Sequence, residues 1–197
     1  QIRMRLPSTP ESTMPVQEKS LRKHGYGPLD ARNLRSILGS FATGVTIVTT
    51  LNERDEPVGV TANSFSSVSL DPPLVSWCLR DNSQSLPAFR RSQRFAINIL
   101  GAADLGLCKR FAKADPHKWR DVSHLAGENG CPVLAEAIAV IECRLVAEHK
   151  AGDHVILIGQ VDQARADEMP PLVFYRGRFY GLEDAGAVRA GKDSASR

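Results

Sequence analysis

The chain has 197 residues, of which 42% are hydrophobic and 24% charged, a composition typical of one soluble globular domain. No apolar run approaches the roughly 18 residues that a membrane span requires, and no apolar segment follows the basic N-terminal stretch as in a secretory signal. The formal charge of +3 is carried by residues 1–27, and the neutral body gives no reason to expect nucleic-acid binding. These features predict a cytoplasmic protein.

Both ends of the sequence are predicted to lie outside the folded domain, which should span residues 29–182. Residues 1–28 hold four prolines and no periodicity, so they predict a flexible N-terminal extension, and residues 183–197 predict a C-terminal tail. At the start of the domain, Asp30 is suited to cap a helix that runs to about residue 40. One face of this helix is apolar and holds Leu34, Ile37, Leu38 and Phe41.

The rest of the domain predicts antiparallel strands. Residues 45–51 are rich in β-branched side chains, and residues 57–63 should return as their hairpin partner. In residues 138–149 apolar side chains alternate with charged ones such as Glu142, which predicts a half-buried strand with its charged face in solvent. Further strands are predicted at 74–79, 95–100, 154–164, 172–175 and 178–182, and short helices at 85–91 and 105–112. Seven or eight short strands favour a closed or nearly closed barrel, because closure removes exposed edges.

Several chemical motifs are absent. The four cysteines form no C-x-x-C pair, so they indicate reduced structural thiols, and Cys78 and Cys143 lie in apolar runs where cysteine acts as a small hydrophobic residue. The glycine patterns of Rossmann and P-loop sites and the G-x-S-x-G nucleophile motif do not occur. The five histidines show no ligand spacing, so no metal site is predicted.

Residues 61–69 are crowded with short hydroxyl and amide side chains and hold no charged residue. One interpretation is a polar loop between two strands. The other is a binding turn, because neutral hydroxyls and free backbone N–H groups can hold a phosphate or the edge of a planar heterocycle. Phe65 and the neighbouring apolar strands would then form a dry wall. A phosphorylated aromatic cofactor satisfies both parts of this description.

Six blocks carry a resemblance to a known family: FATGVTIVTT, GVTANSFSSVSLDPPLVSWCL, FAINIL, CPVLAEAIAVIECRL, GDHVILIGQV and PLVFYRGRFYGL. In this order they resemble the flavin reductase family, whose members are short-chain NAD(P)H:flavin oxidoreductases and often serve two-component flavin monooxygenases. The resemblance implies a mainly β, antiparallel Greek-key split barrel that binds FMN, with a few short flanking helices. It also implies FMN or FAD, NADH or NADPH as co-substrate, a homodimer, and a partner monooxygenase.

The same resemblance implies the residues of the flavin site. The phosphate and ribityl chain should lie against residues 61–67, with side-chain contacts from Thr61, Asn63, Ser64 and Ser67. Backbone or wall contacts are expected there from Ala62, Phe65 and Ser66. The isoalloxazine ring should meet Thr43, Gly44 and Val45. Further contacts are expected from Arg80, Ser83, Gln84, Ser85 and Phe111, and from the C-terminal hairpin residues Tyr175 and Arg176.

The G-D-H tripeptide at residues 152–154 resembles the nicotinamide-associated motif of the family, which implies that His154 positions the nicotinamide. The alternative is a histidine at a strand end, bonded to a turn carbonyl. Phe111 has a core alternative and Arg176 a solvated one. Trp77 and Trp119 are assigned to packing, and residues 113–130 to a long variable loop.

The leading hypothesis is therefore hydride transfer from a nicotinamide to a flavin, a reaction that needs no protein nucleophile. One alternative is an FMN-dependent oxidase of the pyridoxamine-phosphate oxidase type, which the G-D-H and S-F-S-S-V-S-x-D-P-P runs disfavour. A second alternative is a non-catalytic flavin carrier or sensor with the same pocket. A flavin carrier and a flavin reductase would use most of the same residues, so both alternatives stay open at this point.

Overall fold

The computed structural model describes residues 30–182, so the extension predicted at 1–28 and the tail predicted at 183–197 lie outside the described residues. The chain divides into two units, residues 1–38 and residues 39–197. Between residues 30 and 182, no helix is long and apolar enough to cross a membrane. The same stretch holds no group of three or more His, Cys, Asp or Glu side chains that could bind a metal ion.

The first unit contributes helix α1, Ala31–Leu38. The Asp30 carboxylate caps it by accepting the N–H groups of Arg32 at 2.9 Å and Asn33 at 2.8 Å, as the sequence predicts. The helix ends at Leu38, slightly earlier than expected. None of its eight residues is buried.

The second unit is mainly β, and its described part contains twelve strands and two short α-helices. The helices α2 (Leu86–Ser92) and α3 (Leu105–Phe111) confirm the predicted ones within a residue, and a 3₁₀ turn (Ala102–Asp104) precedes α3. The strands are β1 (Thr43–Gly44), β2 (Thr46–Leu51), β3 (Pro57–Ala62), β4 (Ser66–Leu70), β5 (Pro73–Arg80), β6 (Arg94–Ile99), β7 (His124–Ala126), β8 (Pro132–Leu134), β9 (Ala139–Ala151), β10 (His154–Ala166), β11 (Leu172–Tyr175) and β12 (Arg178–Gly181).

Seven strands form one antiparallel sheet in the order β3-β2-β6-β9-β10-β5-β4. Its two edges, β3 and β4, are consecutive in the chain and joined only by residues 63–65. Such a short link spans at most roughly 14 Å, so the sheet must curl until its edges approach each other. Ser64 completes the closure, because its hydroxyl accepts the Cys78 N–H of β5 at 2.9 Å and donates to the Cys78 carbonyl at 3.3 Å. We call residues 63–65 and their contact with Cys78 the seam.

The seam corrects one sequence-based expectation and supports another. Residues 61–67 were expected to form a single binding turn, but Thr61 and Ala62 belong to β3, and Ser66 and Ser67 begin β4. Pairing with β5 draws these serines into a strand despite their low β-propensity. The predicted mainly β, antiparallel split-barrel architecture is confirmed.

Strands β2 and β6 are buried on both faces. On one side, inside the curled sheet, Trp77 is fully buried and meets the rings of Phe89 at 4.9 Å and Phe95 at 5.9 Å, so its predicted packing role is confirmed. On the other side, Phe111 of α3 joins a second apolar cluster. This second cluster fixes α3 against the sheet and so positions the site described below.

Strand β9 departs from the predicted alternation at Glu142, which is buried at 8% exposure instead of facing solvent. The loop at residues 127–131 covers it, and the Asn129 backbone N–H donates to the Glu142 carboxylate at 2.8 Å. Gly127 permits this cover, because a Cβ atom there would lie only 2.7 Å from the Glu142 carboxyl carbon. The alternation of apolar and charged residues in β9 could not predict this loop, which buries a carboxylate that the alternation had placed in solvent.

A separate three-stranded sheet, in the order β1-β11-β12, contains the C-terminal hairpin. Arg176 and Gly177 form its two-residue turn with positive φ values of 48° and 76°, as is typical of a type I′ turn. The predicted hairpin is confirmed, and β12 ends at Gly181.

Candidate active site

A groove of about 1270 Å³ opens beside the seam. Its lining comes from β3, the end of β5 with the following loop, the start of β10, and residues 111–119 after α3. Sites for small ligands usually measure about 300–1,000 Å³. The groove is therefore large enough for a nucleotide with a second ring beside it.

One wall of the groove is aromatic. Phe111, only 2% exposed, meets Trp119 edge to face with ring centroids 4.8 Å apart. Gly59 of β3 makes room for this pair, since a Cβ atom there would lie 2.7 Å from Phe111 Cε1 and 3.0 Å from Trp119 Cζ2. The core alternative for Phe111 is confirmed, and the ring also lines the groove, while its contact with a flavin stays a prediction. Trp119 packs as predicted and also faces the groove.

Two of the three hydroxyls predicted to contact the phosphate and ribityl chain are already engaged, and in the described part of the chain only that of Ser67 is not. Thr61 Oγ1 donates to the Cys108 carbonyl of α3 at 2.8 Å, and the Ser64 hydroxyl closes the seam. Each hydroxyl has one proton to give, so neither can donate to a phosphate without losing a backbone bond. Asn63 differs, because its exposed side chain has no hydrogen-bond partner among residues 30–182. Its amide is available to a ligand.

The end of β5 brings a second group of predicted residues into the same groove. Arg80 lies opposite His154 in the β5–β10 pairing. The loop that follows β5 adds Ser83, Gln84 and Ser85 to the lining. Within this loop the Ser83 hydroxyl accepts the Ser85 N–H at 3.3 Å, which holds the turn before α2.

His154 lies at the first position of β10, half-buried, and lines the groove. Its Nδ1 is 2.8 Å from Asp153 Oδ1. A carboxylate only accepts hydrogen bonds, so Nδ1 carries a proton and Nε2 is the nitrogen left for a ligand. The same hydrogen bond lowers the pKa of the Asp153 carboxyl. The partner of this histidine is therefore a neighbouring carboxylate and not the turn carbonyl of the alternative.

Eight of the predicted contacts do not line the groove. Thr43 and Gly44 pair with β11 in the smaller sheet, and Val45 is buried in the core. Arg176 lies 5.5 Å from the Tyr175 ring and donates to Ser40 Oγ at 3.4 Å. The other three are Phe65, which packs against the core, and the exposed Ser66 and Ser67. Their flavin contacts stay predictions.

The four cysteines fall into two groups: three are buried, and one lies on the groove wall. Burial raises the pKa of Cys108, raises that of Cys131 to about 11, and raises that of Cys143 to about 12, as expected for structural thiols. All four thiols are free. Cys78, however, is only half-buried and lies on the groove wall. The apolar run around it concealed this, because alternate residues of β5 face opposite sides.

Among the lining residues that the sequence analysis missed are two cations, Lys113 and Lys118. They belong to the loop that was assigned to variable structure, where no periodicity indicates which side chains point inward. Gly59 carried a usable signal, since a glycine within a β-branched strand often marks a close approach. Together the aromatic wall, the free amides and the cations fit a planar ring that bears a phosphate tail.

Comparisons with known proteins agree with this geometry. A family model described as "Flavin reductase like domain" matches residues 38–183. The chain is 39% identical over 163 residues to HsaB, the reductase subunit of a flavin-dependent monooxygenase from Rhodococcus jostii, covering 82% of this chain and 83% of that protein. It is 41% identical over 153 residues to the FMN reductase (NADH) SmoA of Agrobacterium fabrum, covering 78% and 87% of the two chains.

A solved structure gives the same result. Nitrilotriacetate monooxygenase component B from Mycobacterium thermoresistibile superposes with a TM-score of 0.78 at 35% identity, covering 86% of this chain and 96% of that one. Sequence and fold therefore point to one relationship. The chain belongs to the flavin reductase-like domain family.

Proposed function

We propose that this protein uses NADH or NADPH to reduce FMN or FAD, with both ligands bound in the groove beside the seam. The observation that carries the proposal is that one groove unites the predicted flavin contacts of β3 and the β5 loop with His154. Relatives described as flavin reductases support the same activity.

The residues of the groove have distinct tasks in this reaction. When bound, the flavin supplies the ring that accepts a hydride. Phe111 and Trp119 form an apolar wall that excludes water, and the Asn63 and Gln84 amides offer neutral hydrogen bonds to ring edges or ribityl hydroxyls. Hydride transfer itself moves no proton, so His154 needs only to orient the nicotinamide. Its Nε2 is suited to bond the carboxamide while Asp153 holds the ring.

We further propose that reduced flavin passes to a separate monooxygenase. Several relatives are reductase components of two-component systems, including one that serves 4-nitrophenol oxidation in Rhodococcus opacus. The wide groove suits a ligand that enters and leaves, as such a transfer requires.

A homodimer is part of the proposal. The predicted contacts that lie outside the groove are close in sequence to large exposed apolar side chains: Phe41 (78% exposed) precedes Thr43, and Leu70 (93%) follows Ser67 on β4. Exposed apolar surface of this kind favours an interface. A second copy that covers it would bring these residues to a shared site.

A steady-state assay of NADH oxidation, with and without added FMN, tests the activity. We expect turnover that depends on added flavin, together with FMN binding in a fluorescence titration. Binding without NADH oxidation would instead support the flavin carrier. Tightly held FMN that oxidises an amine substrate without NADH would support the oxidase, and no binding at high micromolar flavin would refute the proposal.

A further inference from the structure

The loop after α3 places an unpaired cation inside the groove. Lys118 is half-buried there, and its ammonium nitrogen lies 5.9 Å from the centroid of the Phe111 ring. Among the residues that the structure describes, its one hydrogen-bond acceptor is the Lys113 carbonyl at a long 3.5 Å. Within residues 30–182, no carboxylate lies within 4.0 Å of this nitrogen.

The surroundings leave this charge poorly compensated. Burial lowers the pKa of Lys118, an effect that the more distant Asp115 only partly opposes. The other groove carboxylate, Glu56, accepts a hydrogen bond from Asn52 at 2.8 Å. Lys113 and Arg80 line the same groove and add positive charge. A partly desolvated ammonium without an ion pair is stabilised by any anion that enters the groove.

The hydrogen bonds of the groove hydroxyls indicate that this anion is a phosphate. Because Thr61 and Ser64 give their protons to backbone carbonyls, the segment expected to bind a phosphate has lost two of its donors. Lys118 offers three ammonium donors on the aromatic wall of the same groove. We propose that Lys118 binds a phosphate group of the nucleotide in the groove while Phe111 and Trp119 contact its ring.

This inference rests on the proposed function, and the phosphate has two sources: the 5′-phosphate of the flavin, or the pyrophosphate of the nicotinamide dinucleotide. The test uses Lys118→Met, which keeps an unbranched side chain over Phe111 and removes only the charge. Lys118→Arg restores the charge. Lys109→Met is the matched control, because Lys109 is exposed on α3 and does not line the groove. Riboflavin, FMN and NADH are the probes.

If the phosphate belongs to the flavin, Lys118→Met should weaken FMN binding by about ten- to a hundredfold and leave riboflavin binding unchanged, since riboflavin has no phosphate. If it belongs to the dinucleotide, the KM for NADH should rise by a similar factor while FMN affinity is retained. In both cases Lys118→Arg recovers most of the loss, and Lys109→Met behaves as wild type.

Equal weakening of riboflavin and FMN would overturn the inference, because it would indicate a contact with the ring or a packing defect. Unchanged FMN affinity together with an unchanged KM for NADH would overturn it as well. If the wild-type protein binds FMN and oxidises NADH in the same experiment, either of these results refutes only the role of Lys118 and leaves the proposed function intact. A wild-type protein that does neither refutes the proposed function and this inference with it.

Discussion

At the scale of single residues, Ser64 serves the fold more than a ligand, because its hydroxyl bonds both the N–H and the carbonyl of Cys78. The residue types at positions 61–67 predicted a neutral polar site, and Thr61, Asn63 and Ser64 do line the groove. The direction of each hydroxyl proton was beyond prediction, because the acceptors belong to α3 and β5, which are distant in sequence. The hydroxyl-rich sequence therefore identified the site correctly, but it overestimated the number of hydroxyls that are free to bind a phosphate.

Ser64 and Ser67 should now differ in what they lose on substitution by alanine. Ser64→Ala removes both bonds to Cys78, so the free energy of unfolding should fall by about 1–3 kcal/mol in urea denaturation. The Ser67 hydroxyl is exposed, so Ser67→Ala should keep full stability. Equal stability of both variants would mean that the Ser64 bonds do not hold the seam.

His154→Ala should lower NADH turnover by about ten- to a hundredfold, a barrier change of roughly 1.4–2.7 kcal/mol, with little change in FMN affinity. The reason is that, in the proposed reaction, Nε2 orients the nicotinamide and does not contact the flavin. Asp153→Asn should give a smaller loss, because an amide can still hold the ring. His149→Ala is the control, since His149 is exposed on β9 and outside the groove.

Two results would contradict the positioning role of His154. Wild-type kinetics in His154→Ala would remove the role altogether. A joint loss of melting temperature and flavin affinity would instead assign His154 to holding the turn between β9 and β10.

At the scale of elements, periodicity determined what was predictable. The long strands β2, β3, β5, β6, β9 and β10 follow the apolar and β-branched patterns, and their existence was predicted within a few residues. Strands β1, β7 and β8 have only two or three residues, too few to show a period. The loop between α3 and β7 lacks a pattern entirely, so the groove positions of Lys118 and Trp119 could be found only from the fold.

The contact of β3 with α3 can be tested through Gly59. In Gly59→Ala the new methyl group would displace the rings of Phe111 and Trp119, so we expect about 1–3 kcal/mol lower stability and weaker FMN binding. Gly106→Ala on α3 is the matched control, because nothing lies within 4 Å of its Cβ position. That helical substitution should be neutral or stabilise the protein by up to about 1 kcal/mol. Denaturant melts and FMN titrations measure both; a fully stable Gly59→Ala would contradict the close approach.

At the scale of the whole molecule, the groove of a single chain collects only part of the predicted site, and several of the remaining residues are close in sequence to exposed apolar side chains. Ultracentrifugation should therefore give twice the 21.5 kDa chain mass. Leu70→Lys on β4 should shift the protein to monomers and weaken FMN binding together, because Leu70 is 93% exposed in the single chain. Leu125→Lys on β7 is the control, because Leu125 is also exposed, at 74%, but is not close in sequence to any predicted contact outside the groove. A wild-type monomer with full FMN affinity would refute the shared site.

The three-residue link at the seam also has a consequence for aggregation. A single backbone cut between residues 63 and 65 would remove no strand pairing of the seven-stranded sheet, yet it would release β3 and β4 from each other. Two free edges are templates for adding strands from other molecules, and β4 would present Val68 and Leu70 along one of them. A protein nicked there should form fibrils or precipitate more readily than one nicked in the turn at residues 52–56. A bound ligand that shields Asn63 from proteases would then delay aggregation without adding any stability to the strands themselves.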